Sequence, residues 1–165
     1  MTAADPMMLI CDMGDRRVAL AVADVIEVAP VVPLWRPPGL PRPLAGFATI
    51  RGRAVPVLAP ALLFDGAATL ERIGLYAHLV HVRDGDGGSL CLLVDRAAGI
   101  VAVDPGTMRL VAADLSQRGC VTGEVTVDDR AVAVLALDRL LADGERVRIA
   151  ALAAEAARRA GEWAA

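Results

Sequence analysis

The chain has no lysine, no asparagine, one tyrosine (Tyr76) and two serines (Ser89 and Ser116). All 17 basic side chains are therefore arginines, which excludes Schiff-base chemistry and the lysine of a phosphate-binding P-loop. Aromatic residues make up 3% of the chain, too few to stack the bases of a single-stranded nucleic acid. A net charge of −3, with the arginines spread singly or in pairs, also argues against nucleic acid as partner. Apolar runs such as 131–137 fall far short of the roughly 20 residues a membrane-spanning helix needs. Residues 1–6 have no basic segment leading into an apolar leader core. No direct membrane insertion is expected, and the expected location is cytoplasmic. Cys11, Cys91 and Cys120 form no C-x-x-C pair and stand in apolar, strand-like runs, so reduced, buried thiols are expected.

What the sequence does have is a hydrophobic fraction of 56%, carried by Ala, Val, Leu and Ile. At 165 residues this suits one single-core domain built largely of strands. An internal echo organises it. Arg53-Ala-Val-Pro-Val-Leu-Ala59 returns as Arg130-Ala-Val-Ala-Val-Leu-Ala136, and each copy runs on to a leucine pair and an Asp-Gly. Upstream lies a second matched pair, Val18-Ala-Leu-Ala-Val22 before Asp24 and Leu90-Cys-Leu-Leu-Val94 before Asp95. Two pairs in the same order indicate duplicated subdomains, whose copies should occupy equivalent strands. Alternation over 121–127 followed by Asp128-Asp129 predicts a hairpin into the second copy. Its counterpart is 47–50, a turn at Arg51-Gly52 and then 53–59, with Gly52 supplying positive φ and Arg51 at the exposed tip. Further strands are expected at 8–13, 16–22, 31–35, 75–83, 89–94 and 100–103. Val94, Ile100, Val132, Val134 and Leu135 are the expected core.

Short helical turns are expected at 24–28, 60–64 and 138–141, and a longer helix over 145–165, with Ile149, Leu152, Ala156 and Trp163 on one face. The proline-rich stretch 36–43 reads as a stiff connector. His78 and His81 lie in a strand-like run where their odd spacing sets them on opposite faces, so no metal site is expected from them. Asp84-Gly-Asp-Gly-Gly-Ser lacks the glycine of a calcium loop at its sixth position. No nucleophile elbow surrounds either serine and no glycine-rich phosphate nest is present. No enzyme activity, metal or cofactor is therefore expected.

From Met8 to about Leu141 the sequence resembles the chemotaxis coupling protein family CheW. The matching segments in the first half are 18–22, Val25-Ile-Glu-Val28, the proline-spaced linker 33–43, Gly46-Phe-Ala-Thr-Ile-Arg-Gly52 and Val55-Pro-Val57. In the second half they are Leu93-Val-Asp-Arg96, Gly99-Ile-Val101, Gly123 and Leu135-Ala-Leu-Asp-Arg-Leu-Leu141. The chain departs from the family at Thr49, usually Asn, and at Ala59-Pro60, usually Asp-Leu. These changes remove an amide and a carboxylate expected beside Arg51.

The resemblance implies a mostly β fold: two small five-stranded SH3-like barrels related by an approximate two-fold over a shared apolar core, with short helices and a C-terminal helix. The expected domain spans 7–144, with one subdomain at 16–74, a second at 75–144 joined by strand 7–13, and the helix at 145–165. The implied function is a non-enzymatic adaptor between the cytoplasmic tip of methyl-accepting chemoreceptors and the regulatory domain of a CheA-type histidine kinase, recruited to membrane receptor arrays. Val25, Glu27, Thr49, Ile50, Arg51 and Gly52 are the expected partner-binding residues; Gly46, Asp95, Gly99 and Asp138 are expected to be structural. Two other readings stay open: a diverged regulator of a non-chemotactic pathway, motivated by Thr49 and Ala59, and an unrelated small ligand-binding or enzymatic barrel.

Overall fold

Runs such as Met8-Leu-Ile-Cys11 and Leu90-Cys-Leu-Leu-Val94 are apolar at consecutive positions, the pattern of strands covered on both faces. The computed structural model, which describes residues 4–64, 73–85, 87–112 and 119–163, shows why. Its strands are β1 (Met7–Met13), β2 (Arg16–Ala21), β3 (Val25–Pro30), β4 (Leu44–Ile50), β5 (Arg53–Leu58), β6 (His78–Arg83), β7 (Ser89–Val94), β8 (Arg96–Ala102), β9 (Arg109–Leu110), β10 (Val121–Val127) and β11 (Arg130–Leu135). The helices are α1 (Ala61–Phe64) and α2 (Asp143–Trp163). One sheet runs β8-β1-β2-β11-β10-β9 and the other β3-β6-β7-β5-β4; they form the first and second barrel.

Alternate residues of each strand serve different cores. Met8, Ile10, Ala19, Val125, Val132 and Val134 fill the first barrel, and Ala45, Ala48, Val55, Val57, Leu79 and Cys91 fill the second. Leu9, Cys11, Leu20, Leu58, Val80, Val82, Leu90 and Leu92 point the other way, into a core shared by both sheets. Ile149 and Ala156 of α2 bury against that same core, with Leu152 half-buried beside them, as the spacing predicts; the side chain of Trp163 lies outside the description. Arg146 ties the helix down through Asp84 and the Asp138 carbonyl.

The echo in the sequence is an echo in the fold. β5 pairs antiparallel with β4 and parallel with β7, placing Val57 opposite Cys91. β11 pairs antiparallel with β10 and parallel with β2, placing Val134 opposite Ala19. The two copies thus occupy equivalent strands in equivalent register. Each pairs with the upstream segment of the other half, so the halves exchange strands. This corrects the division at 16–74 and 75–144: β2 belongs to the first barrel, while β6 and β7, residues 78–94, belong to the second. Sequence order alone assigns strands to the half that encodes them, and the exchange lies in long-range pairing.

Two glycines make the exchange of hydrogen bonds possible at matching bulges. A Cβ on Gly46 would lie 2.7 Å from the Trp35 carbonyl oxygen, and one on Gly123 would lie 2.8 Å from that of Arg109. Close backbone approach lets Trp35 bridge to Phe47 through two bonds of 2.9 Å and lets β9 pair with β10.

Several local expectations change. Residues 25–28 form strand rather than a helical turn, which is confined to Val22–Asp24. The expected strand at 31–35 reduces to the bridge at Trp35, and the strand expected at 100–103 begins at Arg96. The first barrel has a sixth, two-residue strand, β9. Val94, Val132, Val134 and Leu135 are buried, but Ile100 is 56% exposed, because β8 is an edge strand that pairs only with β1.

Candidate partner-binding site

The β4–β5 turn is two residues long, and both have positive φ: Arg51 at +50° and Gly52 at +77°. That is the signature of the mirror-image turn whose twist matches a tight hairpin. Glycine adopts it freely, whereas a non-glycine residue there costs about 1–2 kcal/mol. The equivalent turn of the other barrel carries Asp128 (+49°) and Asp129 (+60°), residue types that tolerate this conformation better. An arginine held against its backbone preference, with 80% of its side chain exposed, is a feature the fold alone does not require.

The six expected residues come from the two outer strands of the second sheet, β3 and β4, and from the turn after β4. The sheet curls enough to bring the turn over β3: Arg51 Nη2 lies 3.7 Å from Glu27 Oε2. Glu27 faces the barrel rim because β3 bulges between Val25 and Glu27, setting Glu27 opposite His81 and Val25 opposite Val82. Val25 is half-buried against the shared core. Ile50 is half-buried against the second barrel's interior, while Thr49 and Gly52 are exposed. Beside the tip, a groove of about 400 Å³ is lined by Trp35, Phe47, Thr49, Ala54, Ala156 and Arg159. Arg159 stacks its guanidinium 5.7 Å over the Trp35 ring, so α2 forms one wall.

Sequence reading missed two members of this rim. His81 Nδ1 lies 3.4 Å from Glu27 Oε1, and His81 Nε2 lies 2.8 Å from Ser89 Oγ. In the sequence His81 stands out only by its spacing from His78. The structure does put His78 and His81 on opposite faces of β6: His78 Nδ1 accepts from the Ala97 amide at 3.4 Å. Among the described residues no group of three or more His, Cys, Asp or Glu side chains could hold a metal ion. Beneath the rim, burial and then the Glu27 carboxylate push the Cys91 thiol from 9.0 up to about 12.

The departure at Ala59 does not bear on Arg51. Ala59 follows β5 at the end away from the turn, is buried, and donates its amide to the Pro43 carbonyl. Among the expected structural residues, Asp95 Oδ2 accepts from the Gly14 amide. Gly99 sits at the β8 bulge, and the Asp138 carbonyl anchors Arg146.

Two strand-exchanged barrels close on one shared core, and the hairpin tip of the second carries an exposed arginine. The family model of the CheW-like domain matches residues 7–145; the chain belongs to the CheW-like domain family. Among solved structures it is similar to the scaffolding protein TtCheW from Thermoanaerobacter tengcongensis, with a TM-score of 0.75 at 19% identity over 86% of this chain and 92% of that one. A comparison with curated proteins gives no match. Among the described residues, no helix is long and apolar enough to cross a membrane.

Proposed function

We propose that this protein is a non-enzymatic adaptor that couples chemoreceptors to a CheA-type histidine kinase in a bacterial chemosensory array, at the cytoplasmic face of the membrane. The observation that carries the reading beyond family membership is Arg51: an exposed guanidinium at a two-residue turn, 3.7 Å from the Glu27 carboxylate on one side and open on the other. Such a group can make paired bonds to a partner carboxylate or carbonyl. Val25, Glu27, Thr49, Ile50, Arg51 and Gly52 form the partner-facing surface in this reading, with the kinase's regulatory domain as the first partner and the receptor tip as the second. Signal passes by differential binding, since a partner shifts the kinase only through unequal affinity for its states.

Two observations disfavour the other readings. The barrel interiors are filled by buried apolar side chains, whereas a ligand-binding barrel keeps a concave pocket with a few convergent polar groups. The buried position of Ala59 removes one of the two departures that motivated a diverged regulator. The test is capture of the kinase regulatory domain, and separately of a receptor-tip fragment, on the immobilised protein. Retention of both supports the adaptor, and retention of neither contradicts it.

A further inference from the structure

The rim behind the tip holds a chain of polar contacts that the expected site does not include. Glu27 of β3 stands directly opposite His81 of β6, and Ser89 of β7 is the diagonal neighbour of His81 across the next ladder. A carboxylate can only accept, so a His81 proton on Nδ1 faces Glu27 Oε1 at 3.4 Å. In the tautomer with that proton alone, Nε2 accepts from the Ser89 hydroxyl 2.8 Å away. One end of the chain is thereby fixed on the sheet, and the carboxylate is held by one oxygen. Its other oxygen, Oε2, is the one 3.7 Å from Arg51.

The duplication supplies an internal control. By the register of the two barrels, His81 corresponds to Ile10, which fills the first barrel. Glu27 corresponds to Gly99 and Arg51 to Asp128. The same fold position is thus satisfied by an isoleucine where no arginine tip is present. The bulge in β3 between Val25 and Glu27 has its counterpart in β8 between Ala97 and Gly99, so it belongs to the fold; the position it sets opposite β6 carries a carboxylate only in this barrel.

We propose that Ser89 and His81 are positioning residues for Arg51, acting through Glu27 to set the direction of the tip guanidinium before a partner arrives; the binding consequence rests on the tip being the partner surface proposed above. A preset guanidinium loses less conformational freedom on binding than one that must be captured from solution.

The test has a partner-free readout and a binding readout. Nitrogen-edited NMR of the arginine Nε–Hε groups, with the Arg51 signal assigned by its loss in Arg51→Ala, reports the guanidinium directly. His81→Ile, which copies the first barrel, and Ser89→Ala should each move the Arg51 signal toward that of a free arginine. His81→Gln retains one donor and one acceptor and should restore it. Affinity for the regulatory domain of the CheA-type kinase should fall roughly three- to fivefold in His81→Ile, with no further fall when that change is added to Arg51→Ala. An unmoved Arg51 signal in both His81→Ile and Ser89→Ala overturns the proposal, as does an equal loss of affinity with and without Arg51. If His81→Ile fails to fold, Ser89→Ala decides alone. A signal that moves while Arg51→Ala binds like wild type upholds the positioning and refutes the partner-surface reading instead.

Discussion

Replacing Gly46 by alanine should damage the second barrel more than so small a change would in an open strand. The added Cβ would meet the Trp35 carbonyl oxygen at 2.7 Å, a distance that only movement of backbone can relieve. Both Trp35–Phe47 backbone bonds, each 2.9 Å, would lengthen or break, and each contributes about 1 kcal/mol. The Trp35 and Phe47 rings, with centroids 5.6 Å apart, would separate at a further cost of about 0.5–1.5 kcal/mol. A total loss of about 2.5–3.5 kcal/mol should lower Tm by roughly 5–15 °C for a protein of this size. Gly123→Ala makes the matching clash at 2.8 Å with the Arg109 carbonyl. Its partner β9 has only two residues, and Leu110 on it is 86% exposed, so the loss should be about half as large. Calorimetric melting of both variants, with tryptophan fluorescence in a Trp163→Phe background to isolate Trp35, decides the matter. Equal melting of Gly46→Ala and wild type would refute the close-approach argument.

Val134→Asp should bury an unpaired carboxylate inside the first barrel, where Val134 is 8% exposed, at a cost of several kcal/mol; soluble expression with unchanged Tm would refute the placement of that strand face. Arg51→Gly should melt above Arg51→Ala, by about 1 kcal/mol in stability, because glycine relieves the left-handed turn that alanine shares with arginine. Burial, with Asp12 for Cys11 and Glu27 for Cys91, raises both thiols from 9.0 to about 12. Their unfolded forms ionise first as pH rises, so the stability tied to them is full below about pH 9 and falls toward pH 12; denaturant midpoints across that window check the sign, and native thiols should resist maleimide at pH 7. A fragment ending at residue 72 should stay unfolded by circular dichroism, because its β1 and β2 need β8 and β11 while its β3 and β5 need β6 and β7.

The repeat was legible because its two strands keep sequence as well as position: Arg53 and Arg130 head seven-residue segments that differ at one residue. The strand exchange was not legible, since Val57 finds Cys91 and Val134 finds Ala19 through parallel pairing that no local pattern encodes. Hydrophobicity alone puts Ile100 in the core, and its exposure follows from the edge position of β8. At the site, the turn and its exposed arginine could be read from Arg51-Gly52. The pairing of Arg51 with Glu27 depends on curling of the sheet, and that of Glu27 with His81 on a bulge at Ile26. A histidine one strand from a carboxylate has no sequence spacing that marks it, so His81 and Ser89 emerge only from the register.

In the proposed function Arg51 anchors a partner. Isothermal titration calorimetry of wild type and Arg51→Ala against the regulatory domain of the CheA-type kinase, at physiological salt, tests it most directly. Affinity should be weaker in the variant by about 1 kcal/mol or more, roughly fivefold, with Tm changed by no more than about 0.5 kcal/mol of stability allows. Equal affinity of the two proteins, each folded to the same degree, would contradict it.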